Sequence, residues 1–239
     1  MGIVVVTGTG TEIGKTVVTA GLAALAWAQG RSVAVVKPAQ TGLAPGEPGD
    51  AQEAARLAGD VAAVELARFP EPLAPATAAR RAGAEPVRPE RAAAAAAELA
   101  ERYDLVLVEG AGGLLVRFDD DGGTLADVAG LLDAPVLIVA SAGLGTLNAT
   151  ALTAEALRTR RLEPLGVVIG SWPAEPDLAS RCNLADLPQT AGVPLLGAVP
   201  EGAGALPAKE FRAQAVHWLA PQLGGDWAGP GAGGPGPVR

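Results

Sequence analysis

The sequence predicts an α/β protein: one domain with a mostly parallel central sheet and helices on both faces. Three observations carry this expectation. Short β-branched runs recur without polar interruption, as parallel strands covered on both faces require. Helical patterns separate these runs, so β and α segments alternate. The first run, Ile3-Val4-Val5-Val6, leads directly into a glycine-rich turn ending Gly14-Lys15-Thr16, where a helix begins.

Taken in order, buried strands are expected at Ile3–Val6, Ser32–Val36, Leu105–Val108, Pro135–Ala140, Leu165–Ile169 and Leu195–Val199. Helices are expected at Lys15–Gln29, Ala51–Ala58, Pro89–Arg102, Leu125–Leu132, Thr146–Arg160 and Leu178–Ala191. Pro89 at a helix start and Gly30 just past a helix end follow the usual asymmetry of these residues. The six alanines of Ala92–Ala97 give the third helix a high propensity and suggest a surface element. The domain is expected to span residues 1–223. The remaining segment, 224–239, carries seven glycines and three prolines in sixteen residues and is expected to be disordered.

The chain has 239 residues, 49% of them hydrophobic, enough for a full core. Its formal net charge of -8 argues against nucleic-acid and anionic-membrane partners, whose phosphates would repel it. No apolar run approaches the roughly 20 residues of a membrane span, and no secretory signal precedes the first strand, so a cytoplasmic location is expected. Cys182 is the one cysteine and His217 the one histidine. They leave no histidine–cysteine metal cluster and no Ser-His-Asp or Cys-His arrangement with supporting context. Catalysis must therefore rest on lysines, a hard cation and backbone dipoles.

In such sheets ligands bind beyond the carboxyl ends of the strands, so the strand-end motifs come next. "TGTGTEIGKT", Thr7 to Thr16, has the character of a P-loop NTPase-like phosphate loop, but G-x-x-x-x-G-K-[ST] spacing would put its first glycine at Thr9, and Gly8 lies one residue early. Amides at the following helix start would bind phosphate oxygens. Lys15 would reach the β and γ phosphates, and the Thr16 hydroxyl would ligate Mg²⁺. "KPAQTG" places Lys37 at the carboxyl end of the second strand, with a proline fixing the turn. This is one of three lysines in the chain. In "LVLVEGAGGLL" Glu109 closes a buried strand, a position suited to serving Mg²⁺ directly or through water. Asp50 is either a helix cap or a further carboxylate for that metal. "GLGTLNAT", Gly143 to Thr150, offers a second helix start for an anion, which suggests a second substrate with its own carboxylate.

From about residue 3 to about 220 these motifs, with "LLGAVP", resemble in content and order those of the dethiobiotin synthetases of biotin biosynthesis. That family's phosphate loop has one additional residue, which matches the odd spacing here. The resemblance implies an ATP-driven, Mg²⁺-dependent joining of CO₂ to 7,8-diaminononanoate in a homodimer. An amine forms a carbamate, the carbamate oxygen takes the γ-phosphoryl group, and the second amine closes a ureido ring. It implies Thr16, Asp50 and Glu109 as the Mg²⁺ set, and Lys37, Lys15 and Thr11 as the catalytic set. Nucleotide would be surrounded by Glu12, Ile13, Gly14, Lys15, Thr16, Val17, Asp50, Glu109, Gly110, Ala111 and Gly112. On the base side it would meet Gly170, Ser171, Pro200, Glu201 and Gly202. Substrate would meet Thr11, Lys37 and Thr41, with Gly145, Thr146, Leu147 and Asn148 holding its carboxylate across the homodimer interface.

Three positions depart from the family pattern. Gly10 stands where a polar residue is usual, and Ala149 where histidine is common. Gly170, in "VVIGSW", stands where an asparagine commonly reads the adenine edge; glycine has no amide side chain, so a looser choice of nucleoside triphosphate is expected. The main rival is a partitioning-type ATPase of similar fold. Such proteins carry a second lysine just after the loop's first glycine, where this chain reads Gly8-Thr9-Gly10, and they lack the KPxQTG strand end.

Overall fold

The computed structural model describes residues 2–229. The chain runs β1 (Ile3–Gly8), α1 (Lys15–Ala28), β2 (Val33–Lys37), β3 (Gln40–Thr41), α2 (Asp50–Ala58), β4 (Ala62–Glu65), β5 (Arg68–Phe69), α3 (Pro75–Ala82) and α4 (Pro89–Ala100). It continues through β6 (Leu105–Gly113), α5 (Leu125–Leu132), β7 (Val136–Ala140), α6 (Thr146–Thr159), β8 (Pro164–Trp172), α7 (Leu178–Ala191), β9 (Leu195–Pro200) and α8 (Ala208–Ala215).

Seven strands form one sheet in the order β4-β2-β6-β1-β7-β8-β9, and every pairing within it is parallel. The uninterrupted apolar runs have the reason foreseen for them. Along β1, Val4 and Val6 enter one core cluster and Val5 the other; Leu105 and Leu107 part in the same way from Val106 and Val108. One cluster packs α1, α2 and α8 on the sheet, and the other packs α3, α4 and α5. The central strand, β1, has β6 on one side and β7 on the other, so the connections diverge at its carboxyl end and leave a crevice there.

The differences from expectation have local causes. β1, β6 and β8 run past the apolar segments, because backbone pairing continues into Gly8↔Gly113 and Trp172↔Pro200. β4 is a half-exposed edge strand of sequence Ala-Ala-Val-Glu, held in register by β2 rather than by its own propensity. β3 and β5 have two residues each, and α3 and α8 eight each. The six-alanine helix buries Ala92, Ala93, Ala96 and Leu99, so one face belongs to the core.

Residues 224–229 of the segment expected to be disordered are packed onto the domain. Trp227 is buried in the cluster beneath α1 and α8, its backbone N–H donates to Leu219 O at 3.0 Å, and His217 Nδ1 lies 3.0 Å from Asp226 Oδ1. Burying an indole outweighs the surrounding glycines. Residues 230–239 of that segment lie outside the described residues. No helix among the described residues is long and apolar enough to cross a membrane.

Candidate active site

The phosphate loop joins β1 to α1 at the crevice. Its first residue is tied to the sheet, Thr9 N–H donating to Val139 O at 2.9 Å. Its last, Gly14, caps α1 at φ 92, a conformation glycine adopts at low cost. Glu12 also lies in the left-handed region, at φ 58. The amides at the start of α1 have no partner within the helix and face the crevice, a standing anion site. The Lys15 side chain curls over the loop and donates to Gly10 O at 2.8 Å.

Beside this loop, parallel topology gathers charges from separate strand ends. Lys37, at the end of β2, is 2% exposed and Glu109, on β6, is 1% exposed. The Lys37 ammonium reaches Asp50 Oδ2 at 2.5 Å and donates to Glu109 Oε1 and Gly110 O, both at 2.9 Å. Its three protons thus have three acceptors. Thr16 Oγ1 donates to the same Glu109 oxygen at 2.9 Å. Burial alone would lower the pKa of Lys37, but the adjacent Glu109 and Asp50 carboxylates outweigh it and hold the ammonium above the ordinary lysine value. Lys15 shifts the other way. Burial, and then the nearby Lys37 charge, lower it despite Glu109 and Asp50.

The donor set suits a hard divalent cation. Glu109 Oε2 is buried without a hydrogen-bond partner, while Thr16 and Asp50 supply a hydroxyl and a carboxylate at the same crevice. All-oxygen ligands of this kind, few in number, leave places for phosphate oxygens and water, as Mg²⁺ prefers.

These groups line a cavity of about 720 Å³ that also takes in Thr11, Glu12, Ile13, Gly14, Thr41, Ala111 and Gly112. The family-implied loop, cation and catalytic residues therefore come together. The Gly110 carbonyl holds Lys37, and Val17 follows in α1 and approaches Gly204. Gly170, Ser171, Pro200, Glu201 and Gly202 stand to one side, at the ends of β8 and β9, with Glu201 N–H bonded to Trp172 O at 2.7 Å. Thr146, Leu147 and Asn148 begin α6 with Gly145 as its left-handed cap, and none of the four lines the cavity. Thr146 is buried there with its hydroxyl unpartnered.

Sequence reasoning passed over several supporting residues. Gln40, buried in the cavity wall, accepts the Asp50 N–H on its Oε1 at 2.8 Å and so fixes the start of α2 under Lys37. Arg68 pairs with Glu65 at 2.7 Å and donates to the carbonyls of Ala44 at 3.0 Å and Glu47 at 2.6 Å, pinning the loop that leads to Asp50. Asn183 Nδ2 donates to Ala142 O at 2.7 Å and Gly143 O at 3.1 Å, pinning the approach to α6. Gln40 had a signal, since it lies inside "KPAQTG"; Arg68 and Asn183 had none.

A family described as an AAA domain matches residues 3–205. The chain is 70% identical to the ATP-dependent dethiobiotin synthetase of Streptomyces coelicolor over 227 residues, 95% of each chain. It is 69% identical to that of Saccharopolyspora erythraea over 228 residues, covering 95% of this chain and all (100%) of the relative. Among solved structures, a ParA family ATPase from Chlorobium tepidum superposes with a TM-score of 0.56 at 15% identity, covering 90% of this chain and 97% of that one, which is a likeness of fold alone. The chain belongs to the family of ATP-dependent dethiobiotin synthetases.

Proposed function

We propose that this ATP-dependent ligase closes a ureido ring on 7,8-diaminononanoate with CO₂, giving dethiobiotin, ADP and phosphate in biotin biosynthesis. The observation that carries the reading is Lys37, buried between Asp50 and Glu109 beside the phosphate loop in one cavity of about 720 Å³. A carbamate is a poor electrophile and needs a leaving group. Phosphorylation supplies one, and it demands positioning and charge neutralisation rather than a nucleophilic side chain.

In this reading the α1 amides and Lys15 hold the nucleotide's phosphates, with Glu12, Ile13, Gly14 and Val17 framing it and Ala111 and Gly112 opposite. One substrate amine takes up CO₂ and loses a proton to form the carbamate. A carbamate oxygen then bonds to the γ-phosphorus as the bond to ADP breaks. The second amine attacks the carbonyl carbon, phosphate departs with the bonding pair, and the amine proton is lost. Lys37 neutralises the charge on carbamate and γ-phosphoryl oxygens, exchanging part of its contact with Asp50 and Glu109 for them. Thr11 and Thr41 face the diamine. Thr16, Asp50 and Glu109 would hold Mg²⁺, which when bound neutralises phosphate charge; the unpartnered Glu109 Oε2 supports this set.

Gly145, Thr146, Leu147 and Asn148 would bind the substrate carboxylate of a second copy in a homodimer. The 92% exposure of neighbouring Leu144 supports a covered face there. The enzyme would work in the cytoplasm with a relaxed choice of triphosphate, because Gly170 and Ser171, with Pro200, Glu201 and Gly202, bring no amide side chain to the base. The deciding experiment supplies the diamine, bicarbonate and each triphosphate in turn, and measures the ureido product by mass. Phosphate release that ignores the diamine and bicarbonate would refute the ligase reading.

A further inference from the structure

The phosphate loop is seated on the sheet at both ends. At its start lies the Thr9–Val139 backbone bond. At its end two glycines face each other. A Cβ on Gly14 would stand 2.1 Å from Gly170 O, and a Cβ on Gly170 would stand 2.1 Å from Ile13 O and 2.6 Å from Val139 Cγ1. The nearest obstructing atoms are main chain, so no change of rotamer makes room. Gly14 needs to be glycine for its own φ of 92 as well. Gly170 does not: it lies within strand β8 and is absent from the positive-φ glycines. Its lack of a side chain answers to the approach of the loop alone.

Ile13 and Gly14 immediately precede the amides that open α1. An ordinary C···O contact is about 3.3 Å, so any side chain at position 170 would push these residues away by about 1 Å. Displacements of that size at a site of phosphoryl transfer cost about a hundredfold. Val139 serves both seats, its carbonyl holding Thr9 and its side chain touching the Gly170 position.

We propose that Gly170 is a positioning residue that seats the phosphate loop on β8, so that its missing side chain governs affinity for the triphosphate group shared by all nucleotides. The inference rests on the nucleotide reading above and adds that an amide side chain cannot be restored at this position without displacing the loop.

The test titrates the full chain with inorganic tripolyphosphate, which has no base, and with ATP, CTP, GTP and UTP. Wild type, G170A, G170N and V139A/G170A are compared, with a thermal melt of each. G170A is expected to weaken all five ligands by a similar factor, about tenfold or more, while still melting cooperatively. G170N is expected to weaken them at least as much without favouring ATP. V139A/G170A relieves the side-chain contact but not the Ile13 carbonyl, and is expected to stay weak. Tripolyphosphate binding within about twofold of wild type in G170A or V139A/G170A, or a G170N that gains ATP preference at undiminished tripolyphosphate affinity, would overturn the proposal. If G170A does not melt cooperatively, V139A/G170A is titrated in its place with the same two outcomes. A lower melting temperature with unchanged affinity would mark a purely structural glycine and also overturn it. A wild type that binds no triphosphate would refute the nucleotide reading, whereas a binding wild type with an unaffected variant would refute this inference alone.

Discussion

The two ends of the crevice are built from different materials. At the carboxyl ends of β1, β2 and β6 it is a cluster of side chains: Lys37 between Asp50 and Glu109, with Lys15 and Thr16 alongside. At the ends of β8 and β9 it is mostly main chain, with Gly170 against the loop, Glu201 N–H on Trp172 O, and Gly202 in the left-handed region at φ 79. Charge neutralisation needs groups whose full charge is desolvated, and those are costly to remove. In the proposed function the second end faces the base, and shape at a base needs only that backbone lie in the right place. Removing a side chain should therefore be far more damaging at the first end than at the second, where the damage comes from adding one at Gly170.

The largest effect is expected for Lys37→Ala. Turnover should fall at least about a thousandfold, and losing the buried counterion of Glu109 should cost roughly 3 to 5 kcal/mol of stability. Steady-state assays and urea unfolding check the two parts; full turnover would break the assignment of Lys37. Next comes Glu109→Gln, which keeps the shape but removes the charge facing Lys37 and Thr16. A loss of about a hundredfold in kcat is expected, with a higher Mg²⁺ concentration needed for half-maximal rate, read from a Mg²⁺ titration of product formation.

A smaller effect separates the two lysines through pH. Lys15 is lowered in the fold, so between its lowered pKa and the ordinary value of 10.5 the unfolded chain holds a proton that the native protein has released. Stability from this group then rises with pH across that window. Lys37 is raised, so its contribution is intact below 10.5 and is lost only as pH climbs through its higher native value. Unfolding free energies of the nucleotide-free wild type and Lys15→Met at pH 7 to 10 should converge or cross as Lys15 discharges. A constant difference between them would show that Lys15 is unperturbed.

At the other end, Ser171→Ala and Glu201→Ala should each change KM for the triphosphate by less than about threefold, as expected for exposed or weakly engaged polar groups. KM values for the four triphosphates should agree within about tenfold. A strict preference for ATP would show that the base end reads chemistry after all.

Much of the phosphate end was legible because its signals are local. A β-branched run followed by Gly-Lys-Thr, a lysine closing one strand and a glutamate closing another are each visible within ten residues. Parallel topology then brings their carboxyl ends to one edge. Gln40, Arg68 and Asn183 were not legible in the same way. Each acts by hydrogen bonds to backbone groups, at separations of 10 residues for Gln40–Asp50, 24 for Arg68–Ala44 and 41 for Asn183–Ala142. A backbone N–H or carbonyl carries no residue-specific signal. β4 was hidden because its order comes from pairing with β2, and the place of Trp227 because an indole finds its pocket only after α1 and α8 are assembled.

By itself the sequence determined the alternation of strands and helices, the two-sided burial of the sheet, and the identities of the charged groups at the crevice, since periodicity and residue chemistry are properties of short segments. The tertiary structure alone decided what Gly170 is for. Read along the chain it is a missing amide; in the fold it is the space through which the Ile13 carbonyl and Gly14 come to rest on β8. Steric exclusion between main-chain atoms far apart in sequence leaves no periodic trace, and only the folded chain reveals which side chain had to be absent.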